Sequence, residues 1–150
     1  MYTGLLHLHS FLRYIALILL IIATLKSISG FVSKKEFSPL DNKLSLFTFI
    51  SMHLQLTIGL ILYFISPIVQ TGLGDMGSAM KEPSLRFWTV EHISMMLVAI
   101  ILVSIGRISA KKATDDNTKF KRQAILFTIG LIIIMISIPW PFSKVARPWF

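Results

Sequence analysis

Four long runs of apolar residues, separated by polar segments, dominate the chain. The runs cover about residues 4–25, 44–66, 85–106 and 123–138. A helix needs roughly 20 mainly apolar residues to cross about 30 Å of hydrocarbon, and each run is near that length. Pro139 ends the fourth run, because proline cannot continue a helix. The pattern predicts an all-α membrane protein, with one domain, residues 1–150, folded as a four-helix transmembrane bundle.

The polar segments between the runs carry residues that favour turns. Residues 29–43 include Gly30 and Pro39, and residues 67–84 include several glycines and Pro83. Glycine and proline interrupt helices and are common in turns. We therefore expect a loop in each of these two segments.

Composition supports a membrane protein and excludes several other classes. Hydrophobic residues make up 54% of the chain and the mean hydropathy is +0.72, which is too apolar for a soluble domain of 150 residues. The net charge of +8 would suit a nucleic-acid binder, but the basic residues fall between the apolar runs and form no single arm. We expect the lipid bilayer as partner and no nucleic acid. The absence of cysteine excludes disulfides, thiolate metal sites and covalent c-type haem.

The basic residues are unequally divided between the two ends of the predicted bundle. Ten lie at one end: Lys26, Lys34, Lys35, Lys43, Arg107, Lys111, Lys112, Lys119, Lys121 and Arg122. Five lie toward the other: Arg13, Lys81, Arg86, Lys144 and Arg147. Because lysine and arginine are retained in the cytoplasm, the asymmetry predicts that both termini lie outside (N-out/C-out). Trp88, Trp140 and Trp149 then fall on the outer side, as an aromatic belt would.

Ionisable residues inside the apolar runs are the candidates for chemistry. Each costs about 2.5 to 3.5 kcal/mol to insert, so those present usually face the bundle interior. They are His7, His9, Arg13, His53, Glu91 and His92. All fall in the predicted outer half or at the centre, the inner half of the pattern is almost purely aliphatic, and the fourth run has none. We expect the first three helices to hold the site.

Histidines on three helices suggest a haem site. Neutral imidazole is a common axial ligand of haem iron, and bundles build such sites from facing helices. His53 and His92 are one candidate pair, but His53 is about 10 Å deeper in upright helices. His9 and His92 match better in depth, which would leave His53 for a second ligand or a hydrogen bond, while His7 or His9 could simply lie in the headgroup region. Each histidine has a plain alternative role, a hydrogen bond between helices.

Other polar and sulfur-bearing residues could support this site or a different one. Arg13 could pair with Glu91, neutralise a haem propionate or extend to the lipid headgroups. Candidates for hydrogen bonds to the imidazoles or between helices are Gln55, Thr57 and Ser94. A competing interpretation is a copper site, because methionine binds Cu(I). The methionines concerned are Met52, Met76, Met80, Met95 and Met96.

Four stretches of the sequence resemble a known family. They are residues 5–14 (LLHLHSFLRY), 53–56 (HLQL), 86–92 (RFWTVEH) and 138–142 (IPWPF). Together they resemble small bacterial four-helix membrane proteins labelled cytochrome B, which are named by analogy with cytochromes of the b561 kind. The resemblance implies a multi-pass protein of the bacterial inner membrane that binds haem b without a covalent bond. It also implies His53 and His92 as axial ligands, with His7 or His9 as alternatives.

The expected function is therefore that of a membrane b-type cytochrome. It would pass electrons between quinol and respiratory partners near the outer face, as an electron carrier more than as a catalytic enzyme. The partners expected besides lipid are a quinone, a subunit of a respiratory complex, or further copies of the chain. The alternatives are a non-redox accessory or assembly subunit and a copper-handling protein. Motifs for nucleotide binding, Ser-His-Asp catalysis and metalloproteases are absent from the sequence.

Overall fold

Seven α-helices and one π-helical turn form the structure, a computed structural model that describes residues 1–143 and 145. The helices are α1 (Tyr2–Val32), α2 (Pro39–Ile65), α3 (Pro67–Gly74), α4 (Met76–Ala79), α5 (Pro83–Arg86), α6 (His92–Lys112) and α7 (Asp116–Ser137). The π-helical turn, Phe87–Glu91, joins α5 to α6 without a break. Within these residues, four helical segments are long and apolar enough to cross a membrane: Tyr2–Val32, Pro39–Ile65, Pro83–Lys112 and Asp116–Ser137. The prediction of an all-α bundle with four transmembrane helices is confirmed.

The membrane helices extend beyond the apolar runs, and the expected loop at residues 29–43 shrinks to residues 33–38. The cause is helix capping. The Ser38 hydroxyl accepts a hydrogen bond from the Asp41 amide, the Asp41 carboxylate accepts one from the Ser38 amide, and Pro39 occupies the first helical position. Likewise, the Asp115 carboxylate accepts from the Thr118 amide at 2.7 Å and begins α7 before its apolar residues.

The expectation of a loop at residues 67–84 is wrong, because this segment folds into α3, α4 and α5. Pro67 lacks an amide hydrogen and cannot continue α2, but it suits the first position of a new helix. At the start of α4, the Asp75 carboxylate accepts hydrogen bonds from the Ser78 hydroxyl (2.7 Å) and amide (3.0 Å). These bonds hold the pKa of Asp75 below its usual value.

The four membrane helices are arranged as a square in which neighbours are antiparallel. α1 packs against α2 and α7, and α6 packs against α7 and α2, so α1 faces α6 across the bundle. The buried core includes Leu20, Val103 and Phe127. We call the end with residues 33–38 and 113–115 the basic end, and the end with Met1 and α3–α5 the terminal end. N-out/C-out orientation stays a prediction.

The basic half of the bundle is more polar than the sequence suggested. Ser27 of α1 donates to the Gln123 side-chain oxygen of α7 at 3.2 Å, and Thr48 of α2 contacts the carbonyl oxygen of Leu19. Serine and threonine in apolar runs also donate to carbonyl groups of their own helix, which hides their polarity from a hydropathy profile. The expected aliphatic inner half is therefore wrong.

At the terminal end, the two tryptophans within the described residues lie where the aromatic belt was expected. Trp88 is in the π-helical turn, and the indole of Trp140 donates to the Met135 carbonyl at 2.9 Å. Trp149, Lys144 and Arg147, which also entered the topology prediction, lie outside the described residues.

Candidate functional site

A cavity lies between the four membrane helices in the terminal half of the bundle. The centre of a water-sized sphere can move through about 140 Å³ of it. The lining extends along α1 from Tyr2 to Leu17, which corresponds to on the order of 20 Å of helix, so the space is elongated. Most of the lining is apolar. The polar side chains on it include His9, Ser10, Arg13, Gln55, Tyr63, Ser66, Trp88 and His92.

His9 reaches this cavity from α1 beside Gly59 of α2. A side chain on Gly59 would bring its Cβ within 3.1 Å of the His9 Cε1 atom, so the glycine leaves room for the imidazole. One turn earlier on α2, the Gln55 side-chain amide donates to the His9 carbonyl oxygen at 2.9 Å. The expected role of Gln55 as a bond between helices is confirmed, through the backbone of His9. Gly59 and Gln55 fix His9 against α2.

His92 lies at about the same depth on α6. The Tyr63 hydroxyl donates to the Thr89 carbonyl oxygen at 2.9 Å, which sets the register of α2 against α6. Gly59 is about one turn before Tyr63, and His92 is about one turn after Thr89. Because α2 and α6 are antiparallel, Gly59 and His92 are level, and His9 is level with both. His9 and His92 therefore face one cavity from opposite helices.

The orientation of His92 depends on the π-helical turn that precedes it. The His92 amide donates to the carbonyl oxygen of Phe87, five residues earlier, as a π-helix requires. The His92 Nδ1 atom lies 2.9 Å from the carbonyl oxygen of Ser137 on α7. A carbonyl only accepts, so Nδ1 carries a hydrogen, and in a neutral ring the lone pair would then be on Nε2. Such a bond through Nδ1 is typical of imidazoles that coordinate metals through Nε2.

Arg13 lines the same cavity one turn along α1 from His9. Its guanidinium donates to the Tyr14 hydroxyl at 2.9 Å and lies 4.8 Å from the centre of that ring. The predicted ion pair of Arg13 with Glu91 is wrong, because Glu91 pairs with Arg86 at 2.6 Å. In the π-helical turn, residues five apart lie above one another, which brings Arg86 and Glu91 together at the protein surface.

His53 and His7 are not brought to the cavity. The His53 Nδ1 atom donates to the Phe49 carbonyl oxygen of its own helix at 2.8 Å, and its ring packs on the Phe49 ring at 4.0 Å. Thr57 bonds only the His53 carbonyl, and Ser94 is exposed. His7 is exposed near the start of α1. Of the four histidines, the cavity joins His9 and His92.

The methionines divide in the same way. Met52 and Met96 line the cavity, whereas Met76 and Met80 are exposed at the terminal end and Met95 is outside the lining. Across the described residues, groups of three or more histidine, aspartate or glutamate side chains able to share a metal ion are absent. A metal in this cavity would therefore depend on two imidazoles, with or without thioether sulfur.

Gly59, Tyr63 and Ser137 were not among the site residues predicted from the sequence. Gly59 carried a usable signal, because an isolated glycine inside a helical run usually marks a close contact. Tyr63 and Ser137 carried none, since their contacts join helices that are far apart in sequence. No family model, curated protein or solved structure matches the chain. The resemblance to cytochrome B proteins thus rests on the sequence stretches alone.

Proposed function

We propose that this chain is a membrane b-type cytochrome that holds one non-covalent haem b between α1 and α6, with His9 and His92 as axial ligands. The observation that carries the proposal is that these two histidines line one cavity, at the same depth, from helices on opposite sides of the bundle. His9 and His92 would hold the haem iron between them, one from α1 and the other from α6. Haem b, when bound, supplies one-electron chemistry.

The residues around the cavity fit such a group in three respects. His92 has its Nδ1 atom engaged by the Ser137 carbonyl, which leaves Nε2 with the lone pair. Arg13 supplies a cation inside an apolar cavity, suited to a carboxylate such as a propionate. The elongated shape suits a flat ring system.

The chain's own residues perform the binding and the shielding. The mostly apolar walls would shield a bound haem from water, and Arg13 would bind a negatively charged group there. Electrons would enter or leave at the terminal end, where the cavity lining reaches Tyr2 and Ser66. Quinol or a subunit of a respiratory complex is the proposed partner, in the bacterial inner membrane, with the chain alone or as a homo-oligomer.

Visible spectra of the purified full-length protein, produced with ample haem, test the proposal. We expect a Soret band and a reduced alpha band of b type. Replacing His9 or His92 by Ala should abolish or convert the low-spin spectrum, because one axial ligand is lost. His7→Ala and His53→Ala are matched controls that should keep it. A folded wild-type protein without Soret absorption would overturn the proposal and favour a non-redox accessory subunit. If His53→Ala abolished the low-spin spectrum and His9→Ala did not, the ligand pair would be His53 and His92 in place of His9 and His92.

Copper is a second candidate, favoured by one observation. Met52 and Met96 line the same cavity as the two histidines, and together they form a nitrogen and thioether set suited to Cu(I). Metal analysis of the same preparations separates the two candidates. This second function would be supported if the wild type contained stoichiometric copper and no haem, and if Met52→Leu and Met96→Leu lost the copper.

A further inference from the structure

A second buried cation, Arg107, lies far from the cavity near the basic end of α6. Only 8% of its surface is exposed. Its Nη1 atom donates to three oxygens near the start of α2: the Asn42 carbonyl at 3.2 Å, the Asn42 side chain at 3.4 Å and the Ser45 hydroxyl at 2.5 Å. All three acceptors are neutral. The contacts hold the guanidinium in place but leave its charge uncompensated.

Carboxylates near Arg107 are occupied elsewhere. The ion pairs found among the described residues are Lys26 with Asp41, Arg86 with Glu91 and Lys119 with Asp116, and none includes Arg107. Asp41 precedes Asn42 in the chain, but its carboxylate binds Lys26 of α1 at 3.0 Å and accepts a hydrogen bond from the hydroxyl of Ser38, the N-cap of α2, at 2.6 Å. An arginine that only extended to the headgroups would be exposed, and Arg107 is not. An anion from another molecule would compensate the charge that these neutral acceptors leave.

The guanidinium has an unused edge. Nη1 makes all the hydrogen bonds of Arg107 to the described residues. Nε and Nη2 make none to these residues, yet they are not fully buried. These two nitrogens therefore account for part of the small surface that Arg107 keeps exposed. The Nε and Nη2 edge of arginine is the planar fork that binds a phosphate through two parallel hydrogen bonds.

The hydropathy pattern places Arg107 near the end of an apolar run, where lipid phosphates are expected. The third apolar run ends at about residue 106 and the second begins at about residue 44, so Arg107 and Asn42 lie at the edge of the hydrocarbon. Lys111, one turn further along the same face of α6, is exposed. α2 and α6 also pack less extensively than the other neighbouring pairs of membrane helices.

We propose that Arg107 and Lys111 bind the phosphate of an anionic phospholipid at the basic end, between α2 and α6. Basic pockets between membrane helices are known to take such headgroups. Arg107, positioned by Asn42 and Ser45, provides the two-pronged contact, and Lys111 adds a second charge outside it. The proposal is independent of any haem in the terminal half.

Thermal unfolding of the full-length protein in neutral detergent tests this site. Added phosphatidylglycerol should raise the Tm of the wild type by several degrees more than the same amount of zwitterionic phosphatidylcholine. Arg107→Gln should abolish the difference, and Arg107→Lys, which keeps the charge but loses the fork, should reduce it severalfold. Lys112→Gln is the matched control, because it removes an exposed charge from the same turn of the helix and should keep the full difference.

Three results would overturn the proposal. Equal stabilisation of the wild type by both lipids would exclude a specific headgroup site. An unchanged preference for phosphatidylglycerol in Arg107→Lys and Lys111→Gln would exclude these residues, even where Arg107→Gln fails to fold. Inorganic phosphate that reproduces the full effect at millimolar concentration would identify a site for a free ion and not for a lipid.

Discussion

At the scale of single residues, close contacts around the terminal half are set by small side chains. Gly59 accommodates the ring of His9, and Gly72 of α3 lies against Thr89 in the π-helical turn. The Thr89 side chain is buried, with 2% of its surface exposed, so it has little space into which to move. Through these two glycines, α2 and α3 approach the segments that carry His9 and His92.

Gly72→Ala is expected to destabilise the protein by about 1–3 kcal/mol, the usual cost of overpacking a filled site. The new Cβ would overlap the Thr89 hydroxyl and push α3 away from the π-helical turn. Thermal unfolding in detergent measures the change. Gly74→Ala is the control, because a Cβ there would meet no atom within 4 Å. Equal unfolding temperatures for the two variants would show that α3 does not pack on Thr89 as described.

At the scale of elements, the π-helical turn is the feature that the hydropathy pattern could not predict. One extra residue in a turn changes which side chains align, yet it leaves the apolar run intact. The depths estimated from the sequence therefore suggested an ion pair of Glu91 with Arg13, whereas the π-helical turn aligns Glu91 with Arg86. Capping by Ser38 and Asp115 similarly extends helices through polar sequence that looked like loop. The apolar runs predicted the central part of each membrane helix but not its polar ends.

A double-mutant cycle tests the pairing that this turn creates. Arg86 and Glu91 are both more than a third exposed, so replacing each by Ala should reveal a coupling of no more than about 1 kcal/mol in unfolding free energy. Arg13 and Glu91 should combine additively, because the Glu91 carboxylate binds Arg86. Chemical unfolding in mixed micelles supplies the free energies. Coupling between Arg13 and Glu91 in place of Arg86 would contradict the described turn.

At the scale of the whole molecule, the choice among the histidines required the arrangement of all four helices. Sequence alone identified His9, His53 and His92 and their approximate depths, but it left the pairing open. The register of α2 against α6, fixed by Tyr63, and the orientation of His53 toward Phe49 favour His9 with His92. Such long-range contacts have no local signal in an apolar helix. The same limit hid the contact of Arg107 with α2.

The sequence also predicts the orientation of the bundle in the membrane, with both termini outside. The ten basic residues assigned to one end all lie within the described residues and surround the short 33–38 and 113–115 connections. Because the chain has no cysteine, a single introduced cysteine reports unambiguously on its own position. Ser33 and Thr114 are exposed at the basic end, and Met80 is exposed at the terminal end.

Cysteine in place of Ser33 or Thr114 should resist an impermeant thiol reagent in intact cells, because positive charge keeps these connections in the cytoplasm. Cysteine in place of Met80 should be labelled promptly from outside. Permeabilised cells are the control, in which all three variants should be labelled to the same extent. Prompt labelling at the first two positions with protection at Met80 would reverse the orientation. It would also move the cavity of His9 and His92 to the cytoplasmic side, and with it the proposed exchange of electrons.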